Sequence, residues 1–231
     1  MSKGEWKIAA KSAEGRIESL IRSDCWEMCK KSKDCTIYRL QCEITDNTIF
    51  RFQATVPNCS VEDVCLRIHP CGTMRPVWDS QLQSIELVDE LSEDTLVIRH
   101  VTKARLLGII SERDTIDLCK FTTAEDGSRR VVMTSIVHPE APREPSIVRA
   151  HTHPSVFIIR ATHDNNVEVE AILHAEMHLN SVPTKVLETL VPRGIVKFHD
   201  DLKKSFQKSQ HPPKVNRPLP GWIAVRSADR A

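Results

Sequence analysis

VEVEAILHAEMHLNSVPTKVLETLVPRGIVKFHDDLKKSFQK, residues 167–208, carries two hydrophobic periods in succession. At first apolar and polar residues alternate. Val167, Val169, Ala171, Leu173, Ala175 and Met177 point one way, and Glu168, Glu170, His174, Glu176 and His178 mostly the other. A period of two is that of a half-buried antiparallel strand. Ser181 and Pro183 then open a helix. Its apolar stripe is Val186/Leu187, Leu190/Val191, Ile195, Phe198, Leu202 and Phe206, and Pro192 predicts a kink within it.

Upstream of this stretch the periodicity is mostly that of strands. Residues 7–22 have the spacing of an amphipathic helix, weakened by Gly15. Strands are expected at 25–30, 36–42 and 48–56, the last two joined through Thr45-Asp46-Asn47. Ser60 before Val61-Glu62-Asp63 starts a short helix that stops at His69-Pro70. Further strands are expected around 96–101 and at 115–123, 130–137, 149–161 and 167–177, with Asp126-Gly127 as a hairpin turn. An antiparallel sheet this long curls, and its apolar face needs a cover. The C-terminal helix is the element with enough apolar surface to supply one. The expected class is α+β, with a concave interior suited to a small hydrophobic ligand.

Composition excludes several alternatives. Lys+Arg at 32 against Asp+Glu at 31 lacks the basic excess of a nucleic-acid binder. Only 7 of 231 residues are glycine, and neither G-x-G-x-x-G nor G-x-x-x-x-G-K-[ST] occurs, which excludes those nucleotide folds. The longest apolar run, residues 106–110, is far short of the roughly 20 residues of a membrane span. No signal-like segment opens the sequence, so the expectation is a cytoplasmic chain. The eight cysteines include no pair at zinc-knuckle spacing and read as small buried hydrophobes.

Four segments resemble the StAR-related lipid transfer (START) domain. Arg75-Pro76-Val77-Trp78-Asp79 resembles the tryptophan–aspartate motif before that family's fourth strand. SERDTIDL, residues 111–118, is similar to its SPRDFVDL-type segment, departing at Glu112 and Thr115. Ile147-Val148-Arg149-Ala150 with His153-Pro154 matches V-R-[AG]-x-x-[HG]-P, and Val191-Pro192-Arg193 recurs in the smaller soluble members. All four stand in the family's order, and the match is with the short cytosolic subgroup that carries sterols or bile acids.

The resemblance implies a helix-grip fold: a nine-stranded antiparallel sheet wrapped around the C-terminal helix, with a lipid tunnel between. Residues 1–24 would be an N-terminal helix, 25–208 the lipid-binding domain and 209–231 a proline-rich tail. Trp78, Ile98, His100, Cys119, Thr134, Ala150, Thr152, Leu173, Val191, Phe198 and Leu202 would face the ligand. The loop 139–148, with Pro142, Pro145 and Ile147, would gate the tunnel against the last helix. Some sterol-carrying members bury an acidic residue and an arginine as an ion pair; His100 and Cys119 align there. An imidazole can still bond a sterol hydroxyl and a thiol does so poorly. Binding would then rest on apolar area, at about 25 cal/mol per Å². Cholesterol is the favoured ligand, with bile acids, oxysterols and other lipids open. Arg113 and Asp114 read as an ion pair fixing strand and loop. No cofactor is implied, and the protein is expected to be a monomer that meets membranes transiently. Lys197, Lys203, Lys204 and Lys208, with Lys30, Lys31 and Lys33, are the cations available for that contact.

The alternative is an enzyme or a lipid sensor on the same fold. His151 and His153 lie on one strand face, about 6.6 Å apart, and His178 joins them if the chain turns at Asp164-Asn165-Asn166. No G-x-S-x-G elbow accompanies them.

Overall fold

A computed structural model describes residues 3–42, 47–69, 75–104, 110–162, 164–179 and 184–208. The expected turn at 45–46, the helix opening at 181–183 and the tail 209–231 lie outside them. Helix α1 (Lys3–Arg22) leads into strands β1 (Glu27–Lys31), β2 (Cys35–Gln41) and β3 (Thr48–Val56). Two short helices follow, α2 (Val61–Ile68) and α3 (Arg75–Trp78). Next come β4 (Leu82–Ser92), β5 (Thr95–Thr102), β6 (Arg113–Thr123) and β7 (Arg129–Ser135). The rest is β8 (Val148–Arg149), β9 (His151–Thr152), β10 (Ser155–Ala161), β11 (Val167–Leu173), β12 (Ala175–Glu176) and α4 (Thr184–Lys208).

Nine strands form one antiparallel path, β1-β2-β3-β11-β10-β7-β6-β5-β4. β8 adds to β6 in parallel, and β9 pairs with β12 as a separate ribbon. The N-terminal meander therefore docks on β11, from Val56 opposite Val167 to Phe50 opposite Leu173. Local chemistry sets the corners. Ser60 caps α2 by accepting from the Asp63 amide at 3.1 Å. Gly127 turns the β6–β7 hairpin at a φ of 77°, where Asp126 accepts from the Ser128 amide and hydroxyl.

The sheet is buried on both faces. The inner face carries Ile37, Phe52, Ala54, Ile98, Cys119, Val131, Phe157, Val169 and Ala171, and α4 covers it with Ile195, Phe198 and Leu202. The outer face carries Ile49, Val132, Ile158 and Ile172 against Ala13, Ile17 and Leu20 of α1. Trp6 and Ala10 extend that cover over Val97, Ile116 and Leu118. The expectation of one covered face is thus corrected, because α1 runs from Lys3 and its buried Trp6 adds apolar surface that the stripe of 7–22 left out. Glu170, predicted to face solvent, is buried at 2% exposure and held between Arg51 at 2.5 Å and Arg160 at 2.6 Å.

Two long strands expected from alternation are broken. Residues 149–161 split at Ala150 and His153-Pro154, where proline supplies no ladder donor. Residues 167–177 stop at His174, whose amide donates to Ser155 Oγ at 3.0 Å instead of to a strand. Ala175 and Met177 therefore leave the face of Val167, and Ala175 is exposed. In α4, Val186 is 40% exposed and stands outside the buried stripe. The cysteines divide: Cys35, Cys42, Cys65 and Cys119 are buried as expected, whereas Cys25 and Cys29 are exposed.

Candidate functional site

The candidate site lies between the inner face and α4. Phe198 is its centre, with ring centroids 5.3 Å from Trp78, 5.7 Å from Phe157 and 6.1 Å from Phe52. Ile98, Cys119 and Leu202 are buried in the same cluster, and Trp78, Leu173 and Val191 pack against it. These seven predicted residues are brought together. Alternation explains why: side chains two apart on a strand share a face, and so do those directly across.

A buried polar group on β5–β7 borders this apolar surface. Asp117 lies opposite Ile98 on β5 and Ser135 on β7, and His100 lies opposite Thr115. The buried Asp117 carboxylate accepts from Thr115 Oγ1 at 2.7 Å and Ser135 Oγ at 2.8 Å, with His100 Nδ1 at 3.3 Å. Burial pushes this carboxyl up, but the hydrogen bond and charge of His100, with the two hydroxyls, outweigh it and leave it below the ordinary value. Ser135 Oγ in turn accepts from the Thr152 amide at 2.8 Å. The resemblance pointed to His100 and Cys119 as the polar pair; the structure pairs His100 with Asp117. Cys119 Sγ faces its own strand, 3.8 Å from Asp117 O. Sequence reasoning passed over Asp117, although a Thr115-x-Asp117 pair on the apolar face of a strand was visible in the alternation.

A carboxyl held below its ordinary value stabilises the fold above the unfolded value of about 3.9, and that stability is lost as pH falls through the folded value. Asp117→Asn should therefore be less stable at neutral pH and lose less on acidification than the parent. Urea denaturation across an acid pH series checks this. Parallel pH profiles for the two proteins would remove Asp117 from the acid response.

Four other predictions are corrected. Thr134 pairs with Leu118 and so sits on the outer face that α1 covers. Ala150 is buried beside an outer cleft rather than in the inner cluster. Thr152 reaches the polar group through its backbone alone. Arg113 and Asp114 do not pair with each other, because neighbours on a strand point to opposite faces. Arg113 Nε donates to Met177 O at 3.2 Å, while Asp114 takes Arg99 at 2.9 Å and Arg149 at 2.7 Å.

The loop 139–148 is seated on the outer side as well. Ala141 packs with Trp6 and Ala10. Arg149 donates to the Ala141 and Pro142 carbonyls, and Glu144 pairs with Arg99 at 2.6 Å. Pro142 and Pro145 are exposed and Ile147 is half-buried. These anchors hold the loop to the β5–β6 edge and α1, away from the helix it was expected to close against.

α4 itself is held by side-chain bonds along its second half. From Gly194 onward it is tied down on four sides. Gln81 Nε2 donates to Gly194 O at 3.0 Å, and His199 Nε2 donates to Thr55 O at 2.9 Å. Asp201 accepts from Ser80 Oγ at 2.5 Å, and Lys203 pairs with Asp34 at 3.0 Å. Arg67 donates to Ser205 Oγ and stacks 3.7 Å over Phe206. Of the described side chains before Pro192, Glu188 reaches Arg39 at 3.9 Å and Val191 is half-buried.

Of the predicted set His151, His153 and His178, the first two meet directly, the third shares Glu176 with His153, and His174 joins them unpredicted. Rings of His151 and His153 are 4.6 Å apart and those of His153 and His174 are 4.2 Å apart. Glu176 lies 3.7 Å from His153 Nε2 and 3.5 Å from His178 Nδ1. Burial pushes the His174 imidazole down to about 4, which keeps it neutral. Among the described residues no three His, Cys, Asp or Glu side chains converge as metal ligands.

Comparison with known proteins gives the same picture. The START domain family profile matches residues 18–211. StAR-related lipid transfer protein 5 of Bos taurus is 25% identical over 207 residues, spanning 87% of this chain and 96% of that protein. StAR-related lipid transfer protein 4 of Homo sapiens is 25% identical over 187 residues, or 80% of this chain and 89% of that protein. The solved structure of human StAR-related lipid transfer protein 5 superposes with a TM-score of 0.79 at 22% identity, covering 87% of this chain and 97% of that one. With a family profile over most of its length and a sheet wrapped around its last helix, the chain belongs to the START domain family.

Proposed function

We propose that this protein holds one sterol-like lipid between the inner face and α4 and passes it between membranes, with no bond made or broken. The observation that carries this reading is a broad apolar face that carries, on β5–β7, the buried polar group His100-Thr115-Asp117-Ser135. An amphiphile with one hydroxyl matches that pattern: area gives affinity and one hydrogen bond gives orientation. The names of the relatives, lipid transfer proteins, point the same way.

Phe52, Phe157 and Phe198 fill the middle of the face, so loading requires α4 to move outward. The part proposed to do so is the helix before Pro192, where proline removes a backbone hydrogen bond and the described Glu188–Arg39 pair is long, at 3.9 Å. The gate is thus assigned to the start of α4 rather than to Pro142, Pro145 and Ile147. In this reading the protein works as a monomer in the cytoplasm and meets membranes transiently. Lys204 is exposed for that contact, whereas Lys197 and Lys203 already pair with Asp201 and Asp34.

Native mass spectrometry of the purified protein, with organic extraction and lipid and metal analysis of the same sample, tests the reading. One bound lipid per chain and no metal is expected; stoichiometric zinc without lipid overturns it. Cholesterol should also bind more tightly than its hydroxyl-free analogue cholestane, by about 0.5–1.5 kcal/mol for one hydrogen bond. Equal affinities would take the Asp117 cluster off the ligand.

A further inference from the structure

A cavity of about 630 Å³ opens between residues 136–143 and the β9–β12 ribbon. Its floor is Ile116, Ile136 and Ala141, which belong to the outer-face cluster under α1, together with Ala150. Most of its lining thus lies on the outer side of the sheet, and Ser135 of the Asp117 cluster also reaches it. The volume falls in the range of about 300–1,000 Å³ usual for small-ligand sites.

The polar groups around this floor are unequal. Arg149 is spent, with its guanidinium on Asp114 and on the Ala141 and Pro142 carbonyls. His138 is spent as well. Its ring stacks on Trp6 at 5.0 Å, its Nδ1 accepts from the Glu140 amide, and its Nε2 faces Asp89 at 3.5 Å. Arg143, in contrast, is exposed at the rim and has no ion pair among the described residues. His151 and His178, both exposed, line the same cleft. One carboxylate lines the cleft, Glu176, and it is flanked by His153 and His178. His178 sits at a φ of 49°, an unfavourable conformation for a residue with a side chain.

We propose that this cleft is a second ligand site, for a small amphipathic anion. The apolar body lies on Ile116, Ile136 and Ala150, and a sulfonate- or carboxylate-type head meets the Arg143 guanidinium and the imidazole N–H groups of His151 and His178. Donors outnumber acceptors at the rim, and the apolar floor excludes a purely ionic occupant.

Titration of the full chain with decanesulfonate, followed by NMR of isoleucine methyl and histidine ring signals, tests this. The Ile116, Ile136 and His178 signals should move saturably, while the inner-face Ile98 signal stays in place. Decanol, equally apolar and uncharged, should bind at least about tenfold more weakly, and so should decanesulfonate to Arg143→Glu. Inorganic sulfate should not saturate the site. Movement of Ile98 alone, or unchanged affinity in Arg143→Glu, overturns the proposal. Cholesterol loading, read at Ile98, reports separately on the inner face.

Discussion

Asp114→Ala is expected to lower the stability of the protein by about 3–5 kcal/mol, the usual cost of removing one partner from a buried ionic network. The carboxylate is 1% exposed. Its Oδ1 accepts from Arg149 Nε at 2.7 Å, and its Oδ2 accepts from Arg149 Nη2 and Arg99 Nε, both at 2.9 Å. Without it two guanidiniums, 14% and 15% exposed, face each other with no charge between them. Arg99 keeps Glu86 and Glu144, but those carboxylates are about half exposed and contribute little. Arg149 also orients the Ala141 and Pro142 carbonyls, so the 139–148 loop should loosen with the fold. Urea denaturation measures the first effect and proteolysis of the loop the second. A loss under about 1 kcal/mol would mean that the loop and β8 are held by their backbone bonds to β6. Asp114→Leu with Arg149→Met should recover part of the loss, since it removes one of the two unpaired charges and leaves Arg99 with Glu86 and Glu144.

Phe198→Ala should cost about 3–5 kcal/mol in the lipid-free protein, the range for deleting a buried aromatic ring. The ring touches Trp78, Phe157 and Phe52 and lies 5.5 Å from the Arg75 guanidinium, so its neighbours cannot all close the void. If a lipid occupies this face, it fills part of the new space. The loss should then be smaller when both proteins are saturated with ligand. Thermal unfolding with and without cholesterol separates the two cases. An equal loss in both conditions would make Phe198 a packing residue that the ligand never reaches.

Most of the inner face was legible before folding. Ile98, Leu173, Val191, Phe198 and Leu202 follow from strand and helix periods, because burial under α4 repeats with those periods, and Cys119 from the family resemblance. Thr134 failed for a local reason. Alternation says that two neighbours differ in face, and a slip of one residue in the frame exchanges them. Asp117 was missed because a carboxylate on an apolar strand face reads as an exception until its partners are known. Thr115 stands two residues away on the same strand, but His100 and Ser135 come from the strands on either side and meet Asp117 only through register. The loop 139–148 was read from its prolines, which report backbone stiffness and not the side to which Arg149 and Glu144 tie it.

Periodicity and composition alone settle that the chain is α+β, that its sheet is antiparallel, and that its last helix buries one stripe. These properties depend on residues close in sequence. Docking of β3 on β11, cover of the outer face by α1, and capture of Asp114 by Arg99 and Arg149 were settled by tertiary structure. Each joins residues far apart in the chain, and their pairing depends on register and on which face is already filled, neither of which a local pattern encodes.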